Sequence, residues 1–88
     1  MSFYVYIIES LQDGTFYKGF STDYKKRLEQ HNNGESRYTS GKVPWKLVHV
    51  EEYTSKREAL IRERNLKKAD RQRILALIDS SKNILNKK

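Results

Sequence analysis

Arg27 and His31 stand four residues apart in a stretch with helical spacing. At ~3.6 residues per turn they project about 40° from one another, so both point the same way. An arginine beside a histidine does little for stability but suits a phosphate. The guanidinium is a fixed, permanently charged set of donors, and the imidazole donates or accepts near neutral pH. A surface pair with no role has the same spacing. Glu63 poses the opposite problem. Ala59, Leu60 and Leu66 make an apolar stripe, and Glu63 falls inside it, ~40° round from Ala59. A carboxylate that faces inward is costly unless it meets a cation. Either Arg27 is that cation, giving a structural ion pair, or Glu63 holds a hard divalent ion, which takes about one or two carboxylates plus water and phosphate oxygens.

Tyr6 and Tyr17 contribute phenols from segments that read as strands. Phe3 to Glu9 is aromatic and β-branched, without Gly or Pro. Asp13-Gly14 is a turn signal, and Thr15 to Phe20 completes a hairpin. Side chains alternate, so Phe3, Val5 and Ile7 share one face, and Tyr4, Tyr6 and Ile8 the other. Phe16, Lys18 and Phe20 divide from Tyr17 and Gly19 in the same way. With an even loop, opposed positions sum to an odd number, and Tyr6, Tyr17 and Gly19 share a face. An odd, bulged loop breaks that parity. Gly19 would leave a notch there for a backbone or a phosphate. Tyrosines of an amphipathic core, with solvated tips, have the same pattern.

These side chains need elements to present them. Asp23 to Asn32 has helical spacing through Tyr24, Leu28 and His31, with Gly34 as a stop. Glu35 to Pro44 is a polar loop, and Trp45 to Tyr53 a third strand. Ser55-Lys56-Arg57-Glu58 matches a capping box, so a helix starts at Ser55 and runs to about Lys68. Asp70 caps a last helix reaching about Ser81, with Ile74, Leu75, Leu77 and Ile78 as its apolar residues. The order β-β-α-β-α-α predicts an α+β domain over residues 1–81, a three-stranded antiparallel sheet flanked by helices. Residues 82–88 read as a basic C-terminal tail that frays.

Composition narrows the function. Zero cysteines exclude disulfides, thiolate nucleophiles and sulfur-ligated zinc, and two histidines cannot build a structural zinc site. An aromatic content of 11% is too high for a disordered basic tail. No apolar run is long enough to span a membrane, and the first residues lack a signal peptide's charged and apolar regions, so the expectation is a monomer in the cytoplasm. The net charge of +7 is uneven: residues 1–54 hold seven basic and seven acidic side chains, residues 55–88 eleven and four. A basic segment on a neutral, aromatic-rich body points to a polyanion, most simply nucleic acid. A solvated helical surface has the same charge.

Tyr4-Val5-Tyr6 followed by Tyr17-Lys18-Gly19 resembles the paired motifs of the GIY-YIG nuclease superfamily, with Tyr for the first Gly and Lys for the second Ile. Arg27-Leu28-Glu29-Gln30-His31-Asn32 is similar to the family's helix with the catalytic arginine. Tyr38-Thr39 and Pro44-Trp45-Lys46-Leu47-Val48 are similar to the loop and third strand of its small single-domain bacterial members. Ala59 to Lys67 is similar to the segment with the metal-binding glutamate. The resemblance runs from about Ser2 to Ile78. One feature departs: several members carry an asparagine after that glutamate, where this chain has Leu75, and neither Asn65 nor Asn83 matches it.

The resemblance implies a metal-dependent endonuclease that hydrolyses phosphodiesters in DNA, with RNA also open, directed by structure rather than sequence. Glu63 would hold one Mg²⁺ or Mn²⁺ ion. Tyr6 or Tyr17 would help deprotonate water, Arg27 would neutralise the phosphate, and His31 would orient the tyrosine or share its proton. Gly19 would let the backbone approach, while Lys56, Arg57, Arg64, Lys67 and Lys68 would hold flanking phosphates. With no residues left for a sequence-reading domain, the expectation is weak or structure-directed recognition, or delivery by a recruiting protein. The alternative is an inactive nucleic-acid-binding module with the same fold, favoured by the motif departures. A third reading is an interaction domain for an acidic protein.

Overall fold

Phe3–Ser10 forms strand β1, the segment able to be buried on both sides: Val5, Tyr6, Ile7 and Ile8 are all buried. It therefore lies in the middle of the sheet. β2 (Phe16–Ser21) and β3 (Trp45–Tyr53) pair with it antiparallel, in the order β2-β1-β3. Helices α1 (Tyr24–Asn32), α2 (Lys56–Lys67) and α3 (Arg71–Ile78) complete the α+β order expected from the sequence. This computed structural model describes residues 1–86. Among the described residues, no helix is long and apolar enough to cross a membrane.

Local chemistry sets the helix starts. Asp23, Ser55 and Asp70 are N-caps whose side-chain oxygens accept from the backbone N–H of Lys26, Glu58 and Arg73. Each such cap contributes about 1 kcal/mol. Gly14 and Gly34 take the positive φ values of 78° and 74° that the hairpin turn and the end of α1 require. Helix α3 stops at Ile78, short of Ser81: beyond its C-cap Asp79, the backbone N–H of Ser80 turns back to the Leu77 carbonyl at 3.0 Å, and the Ser80 hydroxyl donates to the same oxygen.

The register pairs Tyr4 with Ser21, Tyr6 with Gly19 and Ile8 with Tyr17, the odd-sum parity expected of an even loop. Two cores result. On one face Val5 and Ile7 pack with Ala59 and Leu66 of α2 and Ile74 of α3. On the other, Tyr6, Ile8, Trp45 and Val50 pack with Tyr17, and with Tyr24 and Leu28 of α1.

The tail expected to fray is docked as far as it is described. Asn83 is buried; its Oδ1 accepts from Val50 N–H at 3.1 Å, and its Nδ2 donates to the carbonyls of Val48 and Ile78, each at 2.9 Å. Val48 and Val50 belong to β3, whose far side has no neighbouring strand among the described residues, so their backbone groups need other partners, and one carboxamide, which both donates and accepts, serves them both. Lys87 and Lys88 of that tail lie outside the described residues.

Candidate functional site

The phenol of Tyr6 meets two of the groups selected from the sequence, His31 and Gly19. β1 presents its side chain to the α1 face, and the ring lies across Gly19 of β2 so closely that a Cβ there would overlap it. The expected notch is therefore filled by Tyr6 itself. Glycine serves at position 19 to admit a side chain, not to leave an opening for phosphate.

The Tyr6 hydroxyl is 2.9 Å from His31 Nε2, and His31 Nδ1 is 2.8 Å from Thr39 Oγ1. All three residues are buried, so His31 is no surface neighbour of Arg27 but the middle of a buried chain. Tyr17 sets the edge of its ring against the imidazole, with centroids 5.1 Å apart, and Trp45 backs Tyr17 at 6.4 Å. The Trp45 indole donates to the Thr39 carbonyl at 2.9 Å. Asn32, at the end of α1, both accepts from and donates to the Trp45 backbone.

Protonation follows from these surroundings. Burial, then the nearby charge of Arg27, lowers the imidazolium of His31 from 6.5 to about 4, so the ring is neutral at pH 7. Burial raises the Tyr6 phenol; Arg27 beside it works in the opposite sense, while Tyr17 and Glu63 reinforce the rise. The proton thus rests on Tyr6. A neutral phenol donates best to the imine nitrogen of a neutral imidazole, which assigns the Nδ1–H of His31 to Thr39. Of the selected groups, His31 bonds directly to this oxygen and Tyr17 packs against the same imidazole.

Glu63 does not pair with Arg27. Its carboxylate is one-fifth exposed, with Lys67 3.8 Å away on the next turn, while Arg27 donates to Gln30. Of the two partners the sequence allowed, the ion pair with Arg27 is not formed, and the cation nearest Glu63 is Lys67. Among the described residues, no three His, Asp or Glu side chains cluster to hold a metal. A metal here would rest on Glu63 alone and take water and substrate oxygens, which a hard divalent ion accepts. Leu75 is exposed on α3, so nothing in that position faces the site.

Lys56, Arg57, Arg64, Lys67 and Lys68 are all exposed. At about 100° per residue they spread over one side of α2, from beside Glu63 to roughly 140° away. Arg62 turns the other way. It grips Glu51 of β3 with two bonds of 2.9 and 3.1 Å, and Glu51 also accepts from Tyr53 at 2.6 Å and faces His49 Nε2 at 2.7 Å. Burial would raise this carboxyl, but the hydrogen bonds from His49, Arg62 and Tyr53 hold it near 2. Burial and Glu51 push Tyr53 up to about 12. Sequence reading missed this network, although His49, Glu51 and Tyr53 alternate along one strand and so had to share a face. It also missed Thr39 as the partner of His31, for which the sequence carries no signal.

Residues 2–75 match the family model of the GIY-YIG catalytic domain. A UPF0213 protein of Streptococcus agalactiae is 42% identical over 81 residues, covering 91% of this chain and 91% of that protein. A UPF0213 protein of Halobacterium salinarum is 43% identical over 75 residues, 84% of this chain and 96% of its own. The solution structure of a UPF0213 protein from Bacillus halodurans superposes with a TM-score of 0.60 at 35% identity, covering 93% of this chain and 87% of that one.

Proposed function

The chain belongs to the GIY-YIG catalytic-domain family, and from that premise we propose that it is a metal-dependent endonuclease hydrolysing phosphodiester bonds in DNA, directed by the structure of the substrate rather than its sequence. The observation that supports this is the buried Tyr6–His31–Thr39 chain, with Tyr17 packed edge-on to its imidazole and the charge of Arg27 close by. Family members imply a divalent ion. Glu63 is the residue to hold it, and when bound it supplies Lewis-acid stabilisation of charge on the phosphate and the departing oxygen.

The rest is done by this chain's own groups. Tyr6 is locked as a hydrogen-bond donor to His31, so Tyr17, the more accessible phenol, accepts a hydrogen bond from the attacking water and orients it, and the water's proton passes to a phosphate oxygen or to solvent. Arg27 neutralises charge growing on the phosphate. His31 and Thr39 keep Tyr6 and Tyr17 in place. The exposed cations of α2 draw the backbone towards Glu63. A second reading, binding without cleavage, is favoured by the burial of Tyr6 at 1% exposure, which keeps its oxygen from water.

Incubation of branched, flapped and plain duplex DNA with Mg²⁺ tests the reading. Cleavage by the wild type, with at least a ~100-fold loss in Glu63→Ala and in Tyr17→Phe, is the expected outcome. Equal cutting by all three chains would defeat the mechanism; chelator-insensitive binding with no turnover would establish the second reading.

A further inference from the structure

Tyr38 is 83% exposed, the most exposed aromatic ring among the described residues. It is not loose. Its neighbour Thr39 is fixed by its side chain to His31 and by its carbonyl to Trp45. Beyond it, the Lys42 carbonyl accepts from Ser10, the Val43 carbonyl from Gln12, and the Lys42 ammonium bonds to Asp13 and Thr15. The loop is thus tied down on the side of Tyr38 that leads to the sheet, and the ring is held outward one residue from the partner of His31. Arg37, the preceding residue, is exposed as well.

From this arrangement we infer that Tyr38 is a stacking platform for an unpaired base of the substrate, with Arg37 on the adjoining phosphate, so that the site takes DNA with single-stranded nucleotides beside the bond to be cut. The inference rests on the nuclease reading and names its substrate class. An aromatic face left in water is a hydrophobic surface with a π system, and a splayed nucleobase is the flat partner that covers it. An intact duplex keeps its base faces within its own stack and presents phosphates and groove edges. Leu60 and Ile61, exposed among the α2 cations, offer no such face.

The experiment measures binding with Mg²⁺ replaced by EDTA, so that cleavage plays no part. The probes are a single-stranded oligonucleotide carrying 2-aminopurine and a blunt duplex of the same sequence. Tyr38→Ala is expected to weaken single-strand binding about 5- to 100-fold and to abolish the stacking-dependent quenching, while Tyr38→Trp retains both. Duplex affinity should change less than about twofold. Arg37→Ala should lower the salt dependence of log K by about one. If the wild type binds both probes and Tyr38→Ala alters neither affinity nor quenching, the platform is wrong while the nuclease reading stands. Equal weakening on both probes also overturns it. If the wild type binds neither, and Mg²⁺ gives no cleavage, both fall together. Tyr38 packs in neither core, and Trp45 emission verifies that the variants are folded.

Discussion

His31 and His49 are both fully buried, on opposite faces of one sheet, and are held by opposite means. Around His31 the immediate partners are neutral, a phenol and a threonine hydroxyl. Around His49 they are charged: Glu51 receives His49, Tyr53 and two nitrogens of Arg62, which leaves its carboxylate no free direction. The difference separates structure from chemistry. The Glu51 carboxylate is saturated, and the open position of the ionic centre is the buried Nδ1 of His49, which has no partner among the described residues. The neutral centre is bordered by the half-buried Tyr17 and Arg27 and by a carboxylate with only a long contact to lysine. The two are linked through α2, since Arg62 and Glu63 are adjacent and point ~100° apart. Clamping Arg62 to β3 fixes the rotation of the helix and so sets the direction in which Glu63 projects.

The comparison breaks most severely at Arg62. Arg62→Met strands a buried carboxylate and should cost about 3–5 kcal/mol in chemical denaturation. Adding Glu51→Gln should recover part of it, because no bare charge remains. A loss below ~1 kcal/mol in the single variant would show that the centre tolerates an unpaired charge and is not ionic in the sense argued. Next comes Gly19→Ala, whose Cβ must displace the Tyr6 ring from His31. A cost of about 1–3 kcal/mol is expected, together with loss of cleavage. Full cleavage by a destabilised variant would mean that the position of Tyr6 is irrelevant to the chemistry.

The gentlest probe is acid. His31 is lowered from 6.5 to about 4, so its contribution is complete above 6.5 and is lost as pH falls towards 4. Glu51 is lowered from 4.5 to about 2, so its share is lost only between 4.5 and 2. Stability followed by denaturation from pH 7 downward should therefore decline in two intervals, and His31→Gln should remove the upper one. An unchanged upper decline in that variant would assign it to other groups.

Much of this was legible in sequence. The hairpin came from the Asp13-Gly14 turn, its shared face from the period of two once the loop is even, and the three helix starts from Asp23, Ser55 and Asp70. Trp45–Tyr53 was legible to the residue. What stayed hidden depended on distance in space. Helical spacing put Glu63 among apolar residues but could not say that Arg27 would leave it alone. The buried Glu–Arg pair lies instead between Glu51 and Arg62, whose spacing across a strand and a helix carries no local signature. Gly19 was recognised as a place of close approach, but which group approaches is decided by Tyr6 on the neighbouring strand.

Asn83 belongs to no strand, yet it decides how one strand of the sheet ends. The outer edge of β3 is a row of donors and acceptors of the kind that templates pairing with another chain. By occupying Val50 N–H and Val48 C=O, a single carboxamide interrupts that row. Resistance to edge-to-edge self-association is thus lodged in a segment that would be the first to be trimmed as dispensable.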